Sequence, residues 1–231
     1  MIAATDRSNS TDERIVTRTE TMEYESHFIR RQNEIQDIIH KLNSNINGRE
    51  HEVVTICGKD GLGKTSLVKS IYQNEELRTS FERRAYVTIK HPFNLEDILD
   101  SLVKQLDDKE EEPDDKEEVS ARKEKDKERG GDRTKLRVKR RRLDDLLNKG
   151  KYLIVLDDLS SIKEWDSINL PKTNTEGRII VTTSTENIAK HSSNKKDENI
   201  YKLKCLDKRD ALDLFKETVL IIFSSSVCCM S

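Results

Sequence analysis

Residues 56–72 read ICGKDGLGKTSLVKSIY, and the fold turns on how this stretch is understood. Gly58, Gly63, Lys64 and Thr65 fill every fixed position of G-x-x-x-x-G-K-[ST]. A short β-branched run, HEVVTIC (51–57), leads in, and KTSLVKSIYQN (64–74) leads out with helical period. A phosphate-binding loop needs that strand–loop–helix order. Its glycines let successive backbone N–H groups turn inward around an anion, and the positive end of the following helix adds its field. The expected cradle is Gly58, Lys59, Asp60, Gly61, Leu62, Gly63, Lys64, Thr65 and Ser66. In it, Lys64 reaches the β- and γ-phosphates as a point charge, and the Thr65 hydroxyl ligates Mg²⁺.

Such a loop also needs a metal-side carboxylate at the end of a neighbouring strand. KYLIVLDD (151–158) offers two, at the end of an almost wholly apolar run of the kind a strand covered on both faces shows. Consecutive strand side chains point to opposite faces, so the two acids cannot share one task. Asp157, last in the run, is the candidate for Mg²⁺, acting through water. Asp158, just past the edge, either orients an attacking water as the catalytic residue or caps the loop that follows. Thr182 and Thr183 end the strand GRIIVTT (177–183). They lie near a γ-phosphate if that strand adjoins the phosphate-loop strand; otherwise they only complete it.

Two more strand signals stand at RRAYVTIK (83–90) and NIYKLKCL (199–206). Helical spacing marks RQNEIQDIIHKL (31–42), NLEDILDSLVKQL (94–106) with Asn94 as its cap, and KRDALDLFKETVLIIF (208–223). Strands alternating with helices predict an α/β fold of the P-loop NTPase type, a parallel five-stranded sheet flanked by helices.

At 231 residues the chain can build one good-sized domain, although it is 37% charged and only 33% hydrophobic. Residues 107–135, DDKEEEPDDKEEVSARKEKDKERGGDRTK, account for that imbalance. They hold too little apolar surface to offset ordering entropy and are expected to be a disordered charged insertion. KLRVKRRRL (135–143) is either a nuclear-import patch or a solvated helix face leading into the next strand. Residues 1–26 are polar and aperiodic, as in a flexible arm. They contain no apolar signal region, no apolar run approaches membrane-spanning length, and the four cysteines have no framework spacing. A net charge of −2 gives no electrostatic reason to expect a nucleic-acid or membrane partner. A reducing, cytoplasmic setting is expected, or a nuclear one if the basic run acts as an import signal.

With these motifs placed, the chain resembles the NB-ARC family, the STAND-type P-loop switches of plant intracellular immune receptors (NLR proteins). FIRRQNEIQDII (28–39) is similar to the family's opening motif, GKDGLGKTSL to its P-loop, and RRAYVTIKHPFNLEDIL (83–99) to the strand and helix that follow. KYLIVLDDL (151–159) resembles its Walker B segment, GRIIVTTSTENIAKH (177–191) its sensor segment, and YKLKCLDKRDALDLFKE (201–217) the segment closing its nucleotide domain. The resemblance implies an ADP/ATP-binding module over residues 27–217 with Mg²⁺, at most a slow ATPase, partnered by other NLR chains or signalling proteins. It also implies that Ile29 and Arg31 line the adenine pocket. NGREHEV (47–53) imitates the opening motif too, but it abuts a strand and leaves no room for the helix.

The departures are specific. Arg30 stands for the opening motif's glycine, Ser160 for an aromatic residue after Walker B, and Ser184 for the sensor arginine after the two threonines. Serine cannot make arginine's charge-assisted bond to a γ-phosphate, so ATP sensing is put in doubt more than diphosphate binding. After Glu217 the family's glycine-leucine-proline motif does not follow; TVLIIFSSSVCCMS stands there instead. The expectation is a domain truncated after the nucleotide-binding subdomain, with 218–231 as an atypical tail. Its CCMS ending formally fits prenylation at Cys228, but Cys229 is a poor aliphatic position and no polybasic stretch adjoins it.

Overall fold

Five apolar runs become five parallel strands in the computed structural model, which describes residues 31–43, 52–107, 131–171, 175–216 and 219. The strands are β1 (Glu52–Cys57), β2 (Arg83–Thr88), β3 (Tyr152–Asp157), β4 (Gly177–Thr183) and β5 (Ile200–Lys202), in the order β2-β3-β4-β1-β5. Every neighbouring pair is parallel, so the α/β sheet expected from the sequence is the one present. β3 and β4 are buried along their whole length, which is why their sequences run apolar instead of alternating. Gly177 begins β4 because a Cβ there would land on the Tyr152 ring of β3.

The chain divides into two units, Glu34–Lys204 and a second made of Met1–Asn33 with Cys205–Ser231. In the first unit, helix α1 (Gln32–Asn43) buries Ile35, Ile38, Ile39 and Leu42. Its last carbonyls are held from β4, where Arg178 Nε donates to Leu42 O at 2.9 Å. Helix α2 (Lys64–Gln73) follows the phosphate loop. It ends one residue before the expected limit, because Asn74 caps a separate short helix, α3 (Glu75–Ser80), accepting from the Glu76 and Leu77 amides. Helix α4 (Leu95–Leu106) starts at Asn94 as expected, the side chain accepting from the Glu96 amide at 3.0 Å.

Helix α5 (Gly131–Leu147) begins inside the segment read as an insertion; residues 108–130 of that segment lie outside the described residues. The basic run sits on α5 and is paired within the fold. Lys139 bonds Glu96 and Asp100 on α4, Arg142 bonds Asp107, and Arg140 Nη1 donates to the carbonyls of Ile168 and Asn169. KLRVKRRRL lies on this helix, which leads into β3.

Like α3, two further short helices had no expectation attached: α6 (Ile162–Ile168) and α7 (Glu186–Ser192). The fifth strand is shorter than NIYKLKCL, with a 3₁₀ turn (Asp197–Asn199) before Ile200. In the second unit, residues 208–216 form helix α8, with Asp207 accepting from the Asp210 amide at 2.8 Å. The flexible-arm reading, Cys228 and the tail fall outside the described residues.

Candidate phosphate and metal site

The strand order brings the carboxyl ends of β1, β3 and β4 side by side, where α/β sheets hold their ligands. β1 gives way to the loop at Gly58, whose amide donates to Thr183 O on β4 at 3.2 Å. Gly61 and Gly63 have φ of 79° and 84°, a left-handed backbone that side chains other than glycine's resist. Gly58 is required for a different reason. A Cβ there would lie 3.1 Å from the Leu203 carbonyl oxygen and 3.2 Å from Leu62 Cδ1.

No side chain caps α2, and its first turn carries no acidic residue. The positive end of this ten-residue helix therefore faces the loop with no side-chain cap on its amides. Lys64, 9% exposed, folds over the loop and donates to Lys59 O at 3.1 Å, with Asp60 Oδ1 at 3.6 Å. Both partners belong to the loop itself, so a phosphate can replace them without unfolding anything.

Asp157 is fully buried, and three hydroxyls converge on it. Oδ1 accepts from Thr65 at 3.2 Å and from Thr182 at 2.6 Å; Oδ2 accepts from Tyr86 at 3.0 Å. The two residues expected to serve the metal, Thr65 and Asp157, are thus in direct contact. Among the described residues no group of three or more His, Cys, Asp or Glu could hold a metal. A single buried carboxylate beside a threonine hydroxyl is a set of the kind Mg²⁺ takes, since it commonly uses one or two carboxylates and completes its shell with phosphates and water. The donor set fits the ion.

β4 does adjoin β1, and the two threonines divide their work. Thr182, while donating to Asp157, accepts from the Asp158 amide at 2.8 Å. Thr183 turns the other way, donating to Leu159 O at 2.8 Å and accepting from the Thr185 amide at 3.3 Å. Asp158 is exposed, with φ of 70°. The helix that follows is capped by Ser161, in a reciprocal capping box with Glu164. Ser160, at the position of the missing aromatic residue, bonds Glu164 through both its amide and its hydroxyl. Burial pushes the Glu164 carboxyl up, but the bonds from Ser160 and Ser161, with His91 nearby, outweigh it and leave its pKa below the usual value. Cys57, at the end of β1, is pushed up by burial and by Glu186, against Lys202 and Lys64, so its thiol stays protonated.

Ser184, at the sensor position, is exposed beside α7. Arg31 directly precedes α1 and belongs to the second unit, while Ile29 lies outside the described residues. Two contributors gave no sequence signal, Tyr86 on Asp157 and Leu203 against Gly58. Thr88 is the residue opposite Asp157 across β2 and β3. Tyr86 lies two positions back on the same face, a diagonal that only a long or aromatic side chain spans.

Comparison with known proteins agrees with this architecture. The NB-ARC domain family matches residues 31–222. The chain is 25% identical over 205 residues to the probable disease resistance protein At1g58390 of Arabidopsis thaliana, covering 88% of this chain and 20% of that protein. It is 28% identical over 169 residues to disease resistance protein RPP13 of the same plant, covering 71% and 18%. The chain therefore spans about a fifth of the length of these relatives. Among solved structures it resembles the ORC1 protein of Aeropyrum pernix in complex with DNA, with a TM-score of 0.52 at 15% identity over 81% of this chain and 48% of that one. Cdc6p from Pyrobaculum aerophilum gives 0.51 at 13% identity, with the same coverage. At such identity these structures speak to the fold alone.

Proposed function

The chain belongs to the NB-ARC domain family, and from that membership we propose that it is an ADP/ATP-binding switch module of a plant immune receptor, holding its nucleotide with Mg²⁺. One observation carries the reading. An uncapped helix end behind two left-handed glycines stands next to a fully buried carboxylate already bonded to the loop's own threonine.

Each residue then has a task. Backbone amides of the loop and the first turn of α2 surround the diphosphate. Lys64 exchanges the Lys59 carbonyl and the Asp60 carboxylate for phosphate oxygens. Thr65, through its hydroxyl oxygen, and Asp157, through water, would hold Mg²⁺, with the Thr65 proton kept on Asp157. Mg²⁺ supplies neutralisation of the phosphate charge. Asp158, exposed at the strand's end, orients a water for slow hydrolysis. A switch of this kind works only through contacts that differ between the two nucleotides. Ser184 brings no guanidinium to a γ-phosphate, which favours a module that holds ADP more firmly than it reports ATP. Its partners are other receptor chains or signalling proteins, and its setting is cytoplasmic. No helix among the described residues is long and apolar enough to cross a membrane.

The test is titration of ADP and ATP, with and without Mg²⁺, alongside turnover. We expect ADP binding with turnover that is slow or absent. Lys64→Ala removes two or three charge-assisted bonds, a loss of about 100-fold or more in affinity. Rapid multiple turnover would replace the switch with a conventional ATPase. A folded protein that binds neither nucleotide would leave a non-switching interaction fragment.

A further inference from the structure

Tyr86 belongs to neither the phosphate-loop motif nor the carboxylate motif, yet it shares Asp157 with both. We propose that Tyr86 is a positioning residue for the metal side of the site: its phenol holds Oδ2 of Asp157 in the orientation from which the carboxylate meets a magnesium-bound water. The proposal rests on the nucleotide-and-magnesium reading above.

The argument is one of remaining acceptor positions. A carboxylate offers about four lone-pair positions. Two on Oδ1 face Thr65 and Thr182, and one on Oδ2 faces Tyr86. The position left over is on Oδ2, and its direction is set by the phenol that occupies its twin. Asp157 is fully buried, and among the described residues the phenol is the donor that fixes Oδ2.

Tyr86 is itself held from several sides. Gln105 on α4 accepts from its backbone N–H at 2.9 Å and donates to its C=O at 3.0 Å. Its ring meets Tyr72 edge-on, with centroids 5.5 Å apart at 70°. Tyr72 lies on α2, beneath the Arg84 guanidinium at 4.8 Å, and its carbonyl accepts from Arg84 Nη1 at 2.8 Å. The helix that begins with Lys64 and Thr65 is therefore braced against the residue that orients Asp157. Outer hydrogen bonds of this kind commonly change metal affinity by about 10–100-fold when removed.

Tyr86→Phe deletes one oxygen and keeps the ring against Tyr72. ADP affinity is measured on the full chain, with and without Mg²⁺, for wild type and variant, beside the ligand-free melting temperature. We expect the affinity gained from Mg²⁺ to fall about tenfold, while the magnesium-free affinity and the ligand-free melt change little. A full magnesium gain in the variant overturns the proposal. So does an equal loss with and without Mg²⁺, the mark of a purely structural role. If Tyr86→Phe does not fold, Gln105→Ala decides: it releases the backbone of Tyr86 and keeps the phenol. A reduced magnesium gain in that variant supports the proposal, and an unchanged one overturns it. Wild type that binds ADP without any magnesium gain also overturns it while leaving nucleotide binding intact. Wild type that binds no ADP overturns both.

Discussion

Asp158 carries the clearest conformational cost in the site. A non-glycine residue at φ 70° stores about 1 kcal/mol or more, tolerated only where the surroundings enforce it. Here the enforcement is visible: the Asp158 amide is bound to the Thr182 hydroxyl, and Leu159 N donates to Thr182 O at 2.9 Å. The strained turn sends Asp158 outward while Asp157 stays inside. Asp158→Gly should relieve the strain and raise the melting temperature by about 2–4 °C, while losing whatever turnover the protein has. A thermal melt of the two proteins checks this, and an unchanged or lower melting temperature would show that the turn stores nothing. At this scale much of the site was legible in the sequence. Lys64, Thr65 and Asp157 stand where their motifs put them, because motif spacing fixes a loop of known geometry. Asp158 was legible only as two alternatives, since a sequence does not say whether a strand has already ended. The Tyr86 bond was not legible, because it depends on the register between two strands and on a diagonal reach.

Among the elements, the long apolar strands and the amphipathic α4 were readable because burial on known faces imposes a period. Helices α3, α6 and α7 have six or seven residues each, under two turns, too few for a period to show. Their caps were the better signal. Ser161 and Glu164 form the S-x-x-E box that starts α6, and Asn74 both ends α2 and starts α3. The start of α5 at Gly131 was hidden because its first residues are as polar as the segment before them. The shortness of β5 was hidden because Leu203 and Cys205 extend the apolar alternation of Tyr201 beyond the pairing. Yet the end of β5 bears on the site, since Leu203 N donates to Cys57 O at 2.8 Å and its side chain closes over Gly58. Gly58→Ala should push β5 and the loop apart. With a backbone oxygen at 3.1 Å, the cost should be about 1–3 kcal/mol, read as a melting temperature lower by several degrees. A neutral effect would mean that β5 moves freely and does not hold the loop.

On the scale of the molecule, the order β2-β3-β4-β1-β5 is what turns separate motifs into one site. It sets β4 between the phosphate-loop strand and the carboxylate strand, so Thr182 can touch Asp157 while the Thr183 carbonyl receives Gly58. Alternation of strands and helices predicted a parallel sheet, but no local pattern states which strand lies beside which. The sequence left open whether the strand ending in Thr182 and Thr183 adjoins the phosphate-loop strand, and the pairing of β4 with β1 closes that question. The family resemblance exposes what this chain does differently at the sensor position, where Ser184 stands. The diphosphate cradle is built from other residues, so the central claim is that this cradle holds ADP. The most direct measurement is the thermal melt of the whole chain across a series of ADP concentrations with Mg²⁺. At about 100 times the dissociation constant, binding to the native state alone adds about 2.7 kcal/mol, which predicts a rise of about 5–10 °C that grows with the logarithm of ADP and disappears in Lys64→Ala. A cooperative melt that does not move at millimolar ADP, or that moves equally in Lys64→Ala, would contradict the account.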